Sequence, residues 1–502
     1  MSSRRYEPLP LPKDPARSGA NSEHAARRQI VLPTFEQMMD PRGTVPESIT
    51  QRLAQVGLWD IDPVNLFRIT WHNEMKEHGG GFGPVNFIEI PREITGVKAR
   101  IFGLVGKWFP TGAHKVGSAY GCLAPRLVTG EFDPAKQKAV WPSTGNFCRG
   151  GAFVSALLAC DAIGILPEEM SRERFEWLRN IAGEVIATPG CESNVKEIYD
   201  KCHELEATRG DDIQIFNQFK EFGNYLWHHE VTGRALEEAF NALARPGDRL
   251  AAYVACTGSG GALAAGDYLK GLEPTLKIAA GEAIQCPTLL LNGFGGHRIE
   301  GIGDKHVPWI HNVRNTDFVT AIDDEATVQI MRLFNEPEGR AYLVDKCGAD
   351  PEIVERLDEI ALSCIANMLG AIKLAKWYEL GENDVVATVF TDSMALYGSR
   401  LEEETAKRGA FDHAAAAATY ARYLMGENTS GCLELTYPER KRVHNLKYYT
   451  WIEQQGKTAE ELNAQWYDAD YWTGIPRQRT ELDRLITEFN EKSGVLAGAG
   501  AV

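Results

Sequence analysis

Between about residues 86 and 397, short β-rich apolar runs alternate with amphipathic helical stretches, the pattern of an α/β protein built on parallel sheet. SRERFEWLRNIAG at 171–183 predicts a helix with Ser171 as N-cap, Glu173 in its first turn, Phe175, Leu178 and Ile181 on one face and Gly183 closing it. The strand EVIATP follows directly. RLAAYVAC at 249–256 reads as a strand buried on both faces, running into TGSGG and then an alanine-rich helix that ends near Lys270. VVATVF at 385–390 reads as another buried strand, with the loop TDS behind it.

The two ends differ from this middle. Residues 1–85 are rich in Pro, Arg, Gly and Asp with only short apolar runs, so an extended arm that wraps another surface is expected rather than an independent core, closed by HGGGFGP at 78–84. Residues 401–502 read as helical and aromatic: Asp412 and Gly426 are expected to cap FDHAAAAATYARYLMG, and TAEE at 458–461 is a capping box. Trp466, Tyr467, Tyr471 and Trp472 are expected in core or interface packing.

Charge narrows the partners. Among 502 residues, 53 Lys+Arg face 69 Asp+Glu, and the net −16 repels phosphate backbones and anionic headgroups, so neither nucleic acid nor a membrane is expected as a partner. Ten scattered cysteines without a CxxC pair indicate a reducing compartment. The basic N-terminus lacks the apolar segment of a signal peptide, and no run of about 18 apolar residues occurs, so a cytoplasmic protein is expected.

Four segments carry candidate chemistry. TGSGG at 257–261, between strand and helix, is a set of backbone N–H groups suited to an anion, yet it is neither GxGxxG nor GxxxxGKS, which disfavours dinucleotides and nucleoside triphosphates. In PTGAHKVGSA, Lys115 stands where a helix can begin, a placement that lowers an amine's pKa and favours Schiff-base chemistry; a solvated surface lysine is the plain alternative. WPSTGNFCRGGA packs Ser143, Thr144, Gly145 and Asn146 into one turn that suits a substrate carboxylate or simply caps a helix. GGHRIEGIGDKHVP at 295–308 holds His297, Asp304 and His306, but their spacing fits no zinc pattern, so a structural or substrate-contacting loop is expected and no metal.

In this order the segments resemble the fold-type II pyridoxal-phosphate enzymes, in particular the cysteine synthase and cystathionine β-synthase group of the tryptophan synthase β superfamily. ILPEEMSRERFEWLRNIAGEVIATPG resembles that group's small-domain stretch, NQFKEFGNYLWHHEVTG its Gln-Phe, Asn, His, Thr-Gly series, and HRIEGIGDKHVP its His-Lys-Ile-Gln-Gly-Ile-Gly loop; TGAHK is most similar to tryptophan synthase β. The resemblance implies two parallel-sheet α/β domains, a large cofactor-binding one from 86–124 and 226–400 and a small one from 125–225, flanked by the arm (1–85) and the extension (401–502).

It also implies roles. Lys115 matches the lysine that forms the internal aldimine with pyridoxal 5'-phosphate, and Asn146 the asparagine at the cofactor's phenolic oxygen. Gly258, Ser259, Gly260 and Gly261 match the phosphate cup; Ser143, Thr144 and Gly145, with Gln218 and Gly301, match substrate contacts. Ser363 aligns with the serine facing the pyridine nitrogen, with Cys364 as its competitor. The implied activity is β-elimination, or β-replacement through an aminoacrylate, on a β-substituted amino acid by a homodimer. Phe147 and Cys148 stand where cysteine synthases carry Thr and Gly, so a substrate other than O-acetylserine is expected. Alternatives are a threonine synthase or dehydratase activity and a catalytically silent scaffold; a Rossmann dehydrogenase is disfavoured by the missing GxGxxG.

Overall fold

A computed structural model describes residues 14–74, 80–143 and 145–496. Thr144 and part of HGGGFGP lie outside the described residues. Eleven strands form among them: β1 (Phe87–Ile90), β2 (Arg100–Val105), β3 (Lys138–Pro142), β4 (Ala162–Pro167), β5 (Glu184–Thr188), β6 (Ile213–Ile215), β7 (Arg249–Cys256), β8 (Lys277–Ala283), β9 (Phe318–Ile322), β10 (Asp384–Phe390) and β11 (Cys432–Glu434). They make a seven-stranded sheet, β1-β2-β10-β7-β8-β9-β11, and a four-stranded sheet, β5-β4-β3-β6. The strands of the smaller sheet fall between residues 138 and 215, those of the larger on either side.

The smaller sheet is parallel throughout, and the larger is antiparallel only where β1 meets β2 and β11 meets β9. Helices cover both faces of such sheets, which is why β4, β9 and most of β7, β8 and β10 are buried on both sides and read as continuous apolar runs. The parallel arrangement aims the carboxyl ends of β3, β7 and β10 at one crevice, the place where open α/β sheets bind ligands.

The ends of the chain depart from expectation in an instructive way. The described part of the arm forms short helices, among them Pro15–Arg27 and Phe35–Met39, instead of running extended. Its Leu32, Phe35 and Met38 are buried against the chain's own core. Asn490 explains the anchoring: its side chain accepts from Leu32 N (2.9 Å) and donates to Leu32 O (2.8 Å), while the Asp483 carboxylate caps Phe35 N at 2.6 Å. The wrap is therefore made within one chain.

The 401–496 stretch is helical, as expected, but also contributes β11 to the large sheet. Trp466, Tyr471 and Trp472 are buried, whereas Tyr467 is exposed. Asp412 caps its helix through Ala415 N (2.8 Å). Thr458 accepts from Glu461 N, but the Glu461 carboxylate turns to Trp309 and Tyr471 instead of completing the capping box. Ser171 likewise begins its helix without capping it, because its hydroxyl donates to Leu396 O across the crevice. No helix among the described residues is long and apolar enough to cross a membrane.

Candidate active site

The crevice between the two sheets holds a cavity at the carboxyl ends of β3, β7 and β10. Lys115, Ser143, Asn146, Gln218, Gly258 to Gly261 and Gly301 all line it. Residues more than a hundred positions apart are thus gathered at one place.

Lys115 opens the helix Lys115–Val128, reached from β2 through a loop in which Thr111 and Gly112 take left-handed conformations. The loop is docked on the segment after β10, His114 N donating to Thr391 O at 3.1 Å. Lys115 is enclosed by protein, and burial pushes its amine down to about 8, partly opposed by the nearby Asp304 carboxylate. Its Nζ donates to Ser259 Oγ at 2.9 Å. Asn224 Nδ2 donates to the same oxygen at 2.9 Å, and Gly261 N approaches it at 3.4 Å. Three donors on one hydroxyl oxygen are more than it needs, and this surplus beside a glycine turn is the electrostatic signature of an anion site.

Gly261 is required there by space. A Cβ at this position would collide with Asn224 Oδ1. Gly261→Ala is expected to displace Asn224 from Ser259 and weaken cofactor binding by about 10-fold or more, measured as cofactor retention in a fluorescence titration. Retention at the wild-type level would show that the cup lies elsewhere.

At the other end of the cavity the turn after β3 is organised by Ser143, whose Oγ accepts from Gly145 N (3.1 Å) and Gln218 Nε2 (3.1 Å). Gly145 has φ +148°, and a side chain there would press into Arg174. Arg174, fully buried, donates to Glu300 (2.5 Å) and to the Tyr397 hydroxyl (2.6 Å). Tyr397 in turn donates to Asp392 Oδ2 (2.6 Å), which also accepts from Asn146 Nδ2 (2.6 Å). This chain of bonds ties the small-sheet residues Asn146 and Arg174 to the loop behind β10.

Ser363 and Cys364 both turn toward Thr391, at 2.8 Å and 3.6 Å between hetero atoms. Thr391, rather than either, lines the cavity, with Ser363 standing behind it. Thr391, Asn224 and His114 are site residues that motif reading missed. Thr391 opens the TDS loop and Asn224 lies in the NQFKEFGN series, so their positions were marked although their roles were not. No cluster of three metal-ligating side chains occurs among the described residues.

Residues 82–392 match the family model described as pyridoxal-phosphate dependent enzyme. A cysteine synthase of Staphylococcus aureus (strain Mu50 / ATCC 700699) is 29% identical over 291 residues, 57% of this chain and 84% of that one. A cystathionine β-synthase of Saccharomyces cerevisiae (strain ATCC 204508 / S288c) is 23% identical over 324 residues, 63% of this chain and 60% of that one. Among solved structures, a hydrogen sulfide-producing enzyme of Fusobacterium nucleatum shares the fold with a TM-score of 0.53 at 22% identity, covering 70% of this chain and 95% of that one.

The fold and site define an α/β enzyme of the fold-type II class. The chain belongs to the pyridoxal-phosphate dependent enzyme family, and its cofactor is pyridoxal 5'-phosphate. The site fits that group: the glycine turn brings backbone N–H groups to one end of the cavity, and the Lys115 amine, of lowered pKa, donates to Ser259 beside it.

Proposed function

We propose that the enzyme catalyses β-elimination, or β-replacement, on an amino acid carrying a β leaving group. The observation that carries this reading is the position of Lys115, an enclosed amine set between the glycine turn and the Ser143 turn, with a hydroxyl, Thr391, on the β10 wall. Pyridoxal phosphate, when bound, supplies an electron sink that acidifies the substrate's Cα–H bond.

The chain's own groups do the rest. The N–H groups of 258–261 and the Ser259 hydroxyl hold the phosphate. Ser143 and Gly145, with Gln218, take the substrate carboxylate, and this fixes Cα relative to Lys115. Lys115 Nζ, largely neutral above about pH 8, is the base that accepts the Cα proton. A hydroxyl rather than a carboxylate on the β10 wall suits prompt loss of a β-substituent over transamination or decarboxylation. The Asp392 carboxylate nearby is already engaged by Asn146 and Tyr397. A homodimer belongs to the same reading and rests on the family resemblance, whereas a cytoplasmic location rests on the scattered cysteines without a CxxC pair.

Purified protein is expected to be yellow and to release pyruvate from at least one member of a panel of β-substituted serines, cysteines and aspartates. A colourless protein that borohydride does not trap overturns the reading. Failure across the panel by a yellow, trappable protein points to replacement chemistry with a second substrate.

A further inference from the structure

Near the turn that takes the substrate carboxylate, the cavity wall becomes apolar. Phe147, Phe219 and Ile302 line the same cavity as Ser143 and Gln218. Each of the three directly follows a residue with a role in the reading above: Phe147 follows Asn146, Phe219 follows Gln218, and Ile302 follows Gly301. Gln218 Nε2 donates to Ser143 Oγ at 3.1 Å, so Phe219 adjoins the Ser143 turn, and Phe147 lies two residues beyond Gly145 in the first turn of the helix Asn146–Leu157.

Both phenyl rings are held in place by neighbours. Phe147 is 1% exposed, and its ring meets Trp141 edge to face with centroids 5.3 Å apart. Trp141 is fixed in turn, stacked on Phe216 at 4.6 Å and donating its indole N–H to Ser155 Oγ at 3.0 Å. Phe219 meets His306 at 5.0 Å and Tyr199 at 6.0 Å. Rings held this way have little rotamer freedom left to lose when a ligand packs on them. Hydrocarbon and thioether sulfur gain from such contact. A charged group does not. Among the described residues that line the cavity, Lys115 alone carries a formal charge at neutral pH, since burial pushes His114 down to about 3, and the reaction itself engages that amine. An ion set against phenyl rings without a partner loses its hydration uncompensated.

We infer that the site selects amino acids whose β-substituent is uncharged and apolar, the S-alkyl cysteines above all, and that Phe147 is the residue that sets this choice. The inference rests on the β-elimination reading above and adds to it the chemical class of the leaving group. Where Phe147 stands, cysteine synthases carry Thr, so a phenyl ring occupies the place of a hydroxyl able to hydrogen-bond a polar substituent.

The test uses substrates close in size and different in charge. With wild-type holoenzyme, kcat/KM for pyruvate release from S-propyl-L-cysteine is expected to exceed that from S-carboxymethyl-L-cysteine by about 100-fold or more. Phe147→Thr is expected to move the two in opposite directions, with a loss of about 10-fold for the propyl substrate and a gain of about threefold for the carboxymethyl one. Phe147→Leu, which stays apolar, should keep the wild-type preference to within about threefold. Damage to folding or cofactor loading lowers both substrates alike, so parallel losses in Phe147→Thr overturn the role of Phe147. A wild-type ratio near one overturns the selection itself. Should Phe147→Thr fail to fold, Phe147→Gln, closer to phenylalanine in volume, is judged by the same two criteria.

Binding without turnover separates this inference from its parent. L-Norleucine and L-glutamate carry no β leaving group, and their dissociation constants can be read from the change each makes in the visible spectrum of the holoenzyme. Norleucine is expected to bind about 100-fold more tightly than glutamate. A holoenzyme that shows this preference but releases pyruvate from no thioether counts against the elimination reading and upholds the selection. One that turns over both thioethers equally, or binds the two amino acids equally, overturns the selection and leaves the elimination reading in place.

Discussion

Lys115→Ala is expected to abolish turnover, with a loss of about 10⁴-fold or more, and to remove borohydride trapping on the chain. In the proposed reaction the amine has two tasks, as attachment point and as base, and no other lysine among the described residues lines the cavity. Both readouts should therefore fail together while the fold survives, since the side chain's single hydrogen bond is to Ser259. Its pH behaviour supplies a second check. An ordinary lysine near 10.4 would be almost wholly ammonium at pH 8, but burial lowers Lys115 to about 8, leaving it about half neutral there. The neutral amine is the nucleophile toward an aldehyde. The rate at which cofactor-stripped protein takes up pyridoxal phosphate should thus rise with pH through about 8 and level off above it. A rise that continues to pH 10 would show that the amine is solvated.

Lys447→Met is expected to have the largest effect on stability, about 3 kcal/mol, through residues remote from the motifs. Lys447 is wholly buried in the C-terminal helix Tyr437–Lys447. Its three donors meet three acceptors: Trp309 O at 2.9 Å, His311 O at 2.7 Å and Gln465 Oε1 at 2.8 Å. Methionine fills similar space but leaves Gln465 Oε1 unpaired and takes one of two donors from Trp309 O and from His311 O, which keep Gln465 Nε2 and Val313 N, in an apolar setting that includes Trp472. Pro308 and His311 pack directly behind Gly260, so slackening this segment should also speed cofactor release. A lower urea midpoint together with faster loss of visible absorbance is the expected pair; an unchanged midpoint would refute the bonding scheme.

What the sequence made legible was local. The Ser143 turn and the 258–261 turn are each a few contiguous residues and Lys115 a single one, and the structure places all of them on one cavity. Thr391 was harder to find because its relevance depends on β10 lying beside β2 and β7 in the sheet, a pairing of residues far apart in the chain. The same reason hid Arg174, which reads as a charged position on an amphipathic helix and is instead the buried link between Glu300 and Tyr397. Ser171 carried the sequence signature of a cap, yet its hydroxyl found a better acceptor across the crevice. The arm looked extended because its apolar residues are few and close together. They are sufficient only because Asn490 and Asp483, more than 440 residues away, satisfy its backbone.

The pairing of β11 with β9 has a consequence for how the chain is made. During synthesis, everything through Phe390 can emerge while β9 still presents an unpaired edge, because its partner is Cys432–Glu434. The amide of Leu32 leaves the ribosome long before Asn490, whose side chain accepts from it, has been made. A nascent chain therefore carries a nearly finished α/β unit with an exposed strand edge and an unsatisfied Leu32 amide until residues 432–490 arrive. That is the interval in which such chains are prone to pair with one another, and the C-terminal segment closes it.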